Sequence, residues 1–343
     1  MMKKNQVQKT IRMMRSYFLS KFLSYTPLFM HVAPVRRCNI SCSYCYQSYN
    51  NQDMELNIFK NHVDELYKQN LSIVSFSGGE PTLWKHLSEA IIYCNSKNIF
   101  TQLTSNGIDL TIDHINKLHD DGLDYISISI DSVSNESISK KTIHNSKHLL
   151  QHARQMGMLV SSNIVLNKHN FDEIEEILTE LRSIRVPASI GIVVSPPNPL
   201  NRWNGSSYCF SSNELNSVVR RMLSLYPRFL ILEPKQYFEN IAVEDKRSVW
   251  NCHKASQRSI HLDPDGKVLW CLKLNQVAPF SCNDISNGLE HSYREKLQRI
   301  SIKCNERCYS NCAYSSFYYD KHPFRFLYKL LESYSFTYRE QCG

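Results

Sequence analysis

The chain has 343 residues, 42% hydrophobic and 21% charged, with 40 basic against 32 acidic side chains and a net charge of +8. That length and balance describe an ordinary soluble globular protein, with room for one large α/β domain and a smaller appendage. No apolar run approaches the roughly 18 residues of a membrane-crossing helix, and no Lys/Arg-rich run resembles a nucleic-acid-binding arm. The charge excess therefore reads as a solvated basic surface.

Twelve cysteines would suit a disulfide framework in a secreted protein. Here Arg12, Arg15 and Lys21 interrupt any apolar signal segment, and most of the cysteines fall in metal-type spacings. The reading is a reducing cytoplasm with thiols serving as metal ligands. Residues 1–27 form a basic amphipathic segment in which Ile11, Met14, Phe18 and Phe22 recur at helical spacing. The expected arrangement is a helix over 9–23 packed by that stripe on the main domain. A membrane-surface contact is the other use of such a stripe.

From residue 28 onward, β-rich runs at 29–35, 73–76, 99–104, 125–130, 159–166 and 189–194 are separated by helical patterns. Leu56, Phe59, Val63 and Leu66 make one apolar face. Ile112, Ile115 and Leu118 make another, stopped by Gly122. Ile174, Ile177, Leu178 and Leu181 make a third, with Asn170 and Glu173 in a near-capping-box spacing. Strands separated by helices imply a parallel sheet, either a partial barrel or an open doubly wound sheet. In both, ligands gather at the carboxyl ends of the strands.

After the first strand comes Cys38-Asn39-Ile40-Ser41-Cys42-Ser43-Tyr44-Cys45. A tetrahedral zinc or an ordinary four-iron cluster wants four protein ligands. Three thiolates with no local fourth suggest a cluster with one iron left open to a small molecule. After the second strand comes Ser77-Gly78-Gly79-Glu80-Pro81. Its glycines permit a close backbone approach, and Glu80 can accept from an ammonium. Thr104-Ser105-Asn106-Gly107 follows the third strand. The fourth reads Ser127-Ile128-Ser129-Ile130-Asp131, apolar residues alternating with groups that bond hydroxyls or amines. Each loop alone is an ordinary turn or helix cap. Four polar loops after four consecutive strands are not an ordinary coincidence.

In that order these motifs resemble the core of the radical S-adenosylmethionine (SAM) superfamily over residues 28–200. The resemblance implies a partial (βα)6, TIM-like barrel and a 4Fe-4S cluster on Cys38, Cys42 and Cys45, with Tyr44 as the aromatic residue before the last cysteine. It further implies that Gly78, Gly79 and Glu80 face the methionine amino group of SAM. Ser105, Asn106, Ser129 and Asp131 would lie near its ribose or carboxylate. Many members carry Thr-x-Arg before the first motif cysteine, where this chain has Val35-Arg36-Arg37. The chemistry implied is reductive cleavage of SAM to a 5′-deoxyadenosyl radical that abstracts hydrogen from a substrate.

Residues 201–251 read as a linker and a helix over 212–226, after the break at Pro196, Pro197 and Pro199. Residues 252–343 are cysteine-rich. Asp263-Pro264-Asp265-Gly266 reads as the turn of a hairpin that presents Cys271. Cys252, Gly266 and Cys271 are spaced like the opening of the SPASM and Twitch extensions. That likeness implies one auxiliary iron–sulfur cluster on Cys252 and Cys271 with two of Cys304, Cys308 and Cys312, zinc being the other occupant. The last two intervals depart from the usual SPASM spacing. Cys94 and Cys209 read as buried small hydrophobes.

The expected function is a radical SAM enzyme acting on a peptide or protein side chain, reduced by a flavodoxin or ferredoxin. A small metabolite (a sugar, cofactor precursor or lipid) is the alternative substrate. A non-enzymatic zinc or iron–sulfur protein is a third reading, and it leaves Gly78 to Pro81 and Ser127 to Asp131 unexplained. Peripheral membrane contact has no motif of its own to support it.

Overall fold

The structure is a computed structural model. It describes residues 4–22, 28–45, 47, 51–134, 139–193, 205–241, 258–271, 276–277 and 281–282, with scattered and mostly helical residues between 314 and 336. Helix α1 (Lys4–Phe22) precedes an alternation of strands and helices: β1 (Phe29–Val32), α2 (Leu56–Lys68), β2 (Ile73–Phe76), α3 (Leu87–Ser96), β3 (Phe100–Ser105) and α4 (Ile112–Asp121). The alternation continues with β4 (Tyr125–Ser129), α5 (Ile143–Gln155), β5 (Leu159–Leu166), α6 (Ile174–Ser183) and β6 (Ala188–Ile192). Helices α7 (Ser212–Leu225) and α8 (Lys235–Ile241) follow. Strands β7 (Ser259–Leu262), β8 (Val268–Cys271) and β9 (Gln276–Val277) come last.

The nine strands among the described residues share one sheet, in the order β6-β5-β4-β3-β2-β1-β7-β8-β9. Strands β1 to β6 are parallel and never double back. A doubly wound sheet reverses its strand order at a switch point, so this course is that of a TIM-like partial barrel. The sheet is not closed: β6 and β9 are its two edges. The hairpin foreseen around Gly266 is present. Gly266 N–H donates to Asp263 O at 2.8 Å, and β7 and β8 are antiparallel. Its unforeseen feature is its place, because β7 pairs in parallel with β1 and extends the barrel sheet.

Residue alternation gives the sheet two unlike faces. Along β3, Thr101, Leu103 and Ser105 are buried while Phe100, Gln102 and Thr104 are half-buried. The buried face packs against the helices, with Val32, Phe76, Leu103, Ile126, Val160 and Ile190 meeting Phe59, Val63, Ile91, Ile115, Leu149 and Ile177 in one core. The inner face is polar, and its register row runs His261, His31, Ser75, Gln102, Tyr125.

Helix signals mostly act as expected. Gly122 ends α4 at φ +101°, where a side chain would be strained. The Asn170/Glu173 capping box does not form. Asn170 Oδ1 accepts from the Asn167 N–H at 2.8 Å and its Nδ2 donates to Val165 O at 3.1 Å, shaping the turn after β5. Glu173 instead accepts from the Ser132 hydroxyl and the Val133 N–H, each at 2.7 Å. The nonlocal donors outcompete the local ones. Cys94 is fully buried, as expected, whereas Cys209 is only half-buried.

Candidate active site

The carboxyl ends of β1 to β4 carry every core residue expected of the site. The strand expected to reach residue 35 stops at Val32, because Pro34 has no N–H for the ladder. The stem beyond it is fixed by two arginines. Arg36, buried, pairs with Asp263 of the β7–β8 turn through Nε at 2.6 Å and donates to Gln47 Oε1 at 2.9 Å. Arg37 pairs with Asp53 and donates to Leu83 O at 2.6 Å. From this stem Cys38 and Cys42 hang half-buried and Cys45 exposed, with Cys45 N–H donating to Cys42 O at 3.0 Å.

The loop after β2 packs on the same stem. Gly79 N–H donates to Val35 O at 3.1 Å and Glu80 N–H to Arg37 O at 2.9 Å. Gly78 sits at φ +110°, and a Cβ on Gly79 would run into the Arg37 carbonyl. What the two glycines approach most closely is the chain itself. The Glu80 carboxylate, 1% exposed, then reaches across to the loop after β3. Oε1 accepts from the Thr82 hydroxyl at 2.8 Å and the Ser105 hydroxyl at 2.9 Å, while Oε2 accepts from the Asn106 N–H at 2.8 Å. Burial pushes this carboxyl up and those hydrogen bonds oppose the rise. Asn106 closes the circuit: its Nδ2 donates to Cys38 Sγ at 3.5 Å and to Asn39 Oδ1 at 2.7 Å.

A second tether runs from the cysteine loop to β4. The Tyr44 hydroxyl donates to Asp131 Oδ2 at 2.5 Å. Lys141 Nζ lies 2.7 Å from the same oxygen, contacts the Tyr44 hydroxyl and stands 5.0 Å from the Tyr44 ring centre. The Ser139 hydroxyl donates to Oδ2 at 3.1 Å. Burial works against the Lys141 ammonium, but the charges of Asp131 and Cys42 outweigh it and its pKa lies above the usual lysine value. Three groups thus crowd one oxygen. The other, Asp131 Oδ1, is buried and has no hydrogen-bond partner among the described residues. Ser129 lies on the inner face, half-buried, beside Asn163 in the β4–β5 register.

These residues fit the groups expected of them. Three thiols on one loop are a soft donor set suited to iron–sulfur chemistry. Burial pushes the Cys42 thiol up to about 11; Lys141 opposes the rise, and Asp131, Cys45 and Cys38 add to it. The thiols therefore share one electrostatic neighbourhood. The orphaned Asp131 oxygen fits a hydroxyl or ammonium donor from a ligand, since a buried unpaired carboxylate oxygen is costly. Of the auxiliary ligands, Cys252, Cys304, Cys308 and Cys312 lie outside the described residues; for Cys271, the structure describes the backbone, which ends β8.

Comparison with known proteins agrees with this geometry: the radical SAM superfamily model matches residues 32–195. Residues 32–195 are a radical SAM domain. Enzymes of this family use a 4Fe-4S cluster and SAM. A relative by sequence is the Fe-coproporphyrin III synthase of Methanosarcina barkeri (strain Fusaro / DSM 804), 28% identical over 160 residues. The match takes in 44% of this chain and spans 40% of that relative's length. By structure, SuiB of Streptococcus suis bound to the precursor peptide SuiA superposes with a TM-score of 0.61 at 14% identity, over 81% of this chain and 70% of that one. The protein anSMEcpe with bound AdoMet and Cp18Cys peptide gives 0.60 at 14%, over 89% and 99%. At such identities the likeness is one of fold.

Several residues around these loops carry no motif signal. Lys141 lies ten residues beyond Asp131, and only the helix-capping Thr142 beside it marks the place, as the start of α5. Arg36 and Asp263 meet across more than two hundred residues. Asn39 is anchored to Asp109 at 2.5 Å. Their roles depend on which strands become neighbours.

Proposed function

We propose that this chain is a radical SAM enzyme in which Cys38, Cys42 and Cys45 hold the 4Fe-4S cluster and the ends of β2 to β4 bind SAM. When bound, the cluster supplies an electron and SAM supplies the 5′-deoxyadenosyl radical that takes hydrogen from the substrate. The observation that carries this reading is the pairing of two features. One is a three-thiol loop tethered to β3 through Asn106 and to β4 through Tyr44. The other is a buried acceptor, Asp131 Oδ1, without a partner beside it. Tyr44, Asp131 and Lys141 hold the cysteine loop against the β4 end. Asn106 sets a hydrogen bond on the Cys38 sulfur, a contact that tunes cluster potential. Glu80 and Ser105, with Gly78 and Gly79, keep the two loops in register, and Ser129 borders the ligand from the inner face.

The substrate we favour is a peptide or protein side chain. SuiB with its precursor peptide and anSMEcpe with its Cp18Cys peptide support it through fold. The sequence match to an Fe-coproporphyrin III synthase supports the second reading, a small metabolite. The reductant would be a flavodoxin or ferredoxin. Among the described residues no helix is long and apolar enough to cross a membrane, and a cytoplasmic location belongs to this proposal. So does the division into 1–27, 28–200, 201–251 and 252–343, with an auxiliary cluster in the last segment.

The test is anaerobic reconstitution of wild type and of a Cys38/Cys42/Cys45→Ala triple variant, scoring bound iron and 5′-deoxyadenosine. The wild type is expected to cleave SAM and the variant to lose cleavage together with about four irons, any remaining iron marking the auxiliary site. Wild-type protein that binds iron yet never cleaves SAM under strong reductant sinks the proposal.

A further inference from the structure

Helix α1 docks by its cations and turns its apolar side outward. Lys9, only 2% exposed, donates to Asp124 Oδ2 at 2.7 Å and to Gly122 O at 3.2 Å. The Arg12 guanidinium donates to Leu71 O at 2.9 Å and lies 3.9 Å from the centre of the Tyr67 ring. Of the residues expected to pack inward, Ile11 is 61% exposed and Phe18 48%, Met14 is half-buried and the Phe22 side chain lies outside the described residues; Val7 on the same side is 42% exposed. These positions recur at helical spacing, so they form one stripe, and exposed Arg15 stands within it.

Charge says what covers that stripe. The first acidic residue of the chain is Asp53, so α1 and its flanks carry lysines and arginines with no carboxylate to offset them. The Tyr17 hydroxyl donates to Tyr319 O at 3.0 Å, joining α1 to a helical segment rich in aromatic and basic residues, though with Asp320 and Glu332 among them. There Phe324 is 83% and Tyr328 67% exposed beside exposed Arg325. On α1, apolar side chains flanked by cations and free of acids complement a surface that is anionic outside and apolar beneath. The anchors of α1, at Leu71, Gly122 and Asp124, all lie just before β2 and β4. They are at the opposite end of the strands from the cysteine loop.

We propose that α1 is an interfacial helix that seats the amino-terminal end of the barrel on an anionic lipid bilayer, leaving the cysteine-loop end facing away from it. The experiment is co-sedimentation of the full chain with phosphatidylcholine vesicles, with and without phosphatidylglycerol. Binding is expected with the anionic vesicles alone and should weaken with salt, as screened surface charge does. An Ile11→Asp/Phe18→Asp variant should lose about tenfold or more in partitioning, with its circular dichroism and thermal midpoint unchanged because both side chains face water. Arg15→Glu should reduce the preference for anionic over neutral vesicles. Absence of vesicle binding, or equal binding by the double variant, overturns the proposal. So does a concentration-dependent dimer in sedimentation velocity that the double variant dissolves, which would give the stripe to a second copy.

Discussion

Two buried lysine–aspartate pairs, each at 2.7 Å, stand at opposite ends of the barrel. Lys9–Asp124 sits at the amino ends of the strands, with side chains 2% and 7% exposed; Lys141–Asp131 sits at the carboxyl ends, at 6% and 1%. In the lower pair Asp124 Oδ2 also accepts from the Thr101 N–H at 2.8 Å and hydroxyl at 3.2 Å, and among the described residues no fully buried polar atom of the pair is left without a partner. In the upper pair one carboxylate oxygen is crowded and its twin is orphaned. The difference teaches how to tell a staple from a site. Desolvating an ion pair costs several kcal/mol per charge unless every lone pair is met. A satisfied pair is consistent with a structural job, and an unsatisfied one is consistent with the ligand role proposed for Asp131.

The most disruptive way to test the contrast is to remove each lysine. Lys9→Met leaves an uncompensated buried carboxylate and is expected to lower the stability of the apo chain by about 3–5 kcal/mol, while SAM affinity of the folded fraction holds. Lys141→Met should also cost stability, since the Tyr44 and Ser139 hydroxyls serve Asp131 much as Thr101 serves Asp124, but it alone should cut bound iron and SAM affinity together. Denaturant melts alongside iron assays and calorimetry decide it. If Lys9→Met lost SAM affinity and Lys141→Met did not, the distinction would collapse.

A gentler cut sharpens the same point. Asp131→Asn keeps the shape but weakens the acceptor, and a hydrogen bond to a charged group is worth about 1.5–3 kcal/mol. SAM should bind about ten- to a hundredfold more weakly. Asp124→Asn should leave SAM binding alone and move the melting curve. An Asp131→Asn protein that binds SAM like wild type would mean that the orphaned oxygen faces nothing.

The two ends also differ in how far the sequence foretold them. Cys38 to Cys45, Glu80, Asn106 and Asp131 were legible because loops after parallel strands converge whatever the details, and each is marked by local turn chemistry. The lower end was not. Periodicity identifies the apolar stripe of α1 but cannot say that Lys9 and Arg12 find Asp124 and Leu71 first. Arg36 and Asp263 were opaque for a similar reason: the hairpin is local, but its docking beside β1 is not. The Asn170/Glu173 cap failed because Asn170 turned back to the Asn167 N–H and Val165 carbonyl while Glu173 found partners on another strand end through tertiary structure.

Between the two ends lies a third feature whose expected effect is smaller. His31 and His261 face each other in register on β1 and β7, rings 4.8 Å apart and 16° from parallel. Enclosure lowers His31 to about 4, and enclosure plus the neighbouring ring holds His261 well below its ordinary value. Both are therefore neutral in the folded chain at neutral pH. Below the unfolded value of about 6.5 the unfolded chain takes up protons that the folded chain refuses. Stability should then fall as pH drops from about 6.5 toward 4, by up to about 1.4 kcal/mol per pH unit for each histidine. Glu80 and Asp124, whose carboxyls burial pushes up, act in the opposite sense. The difference between wild type and a His31→Phe/His261→Phe variant isolates the pair: the variant's acid limb should be flatter in thermal melts from pH 7 to 4.5. A variant that keeps the wild-type slope would place the acid sensitivity elsewhere. One that also weakens SAM binding would draw the pair into the upper end, and the boundary between staple and site would move down the barrel.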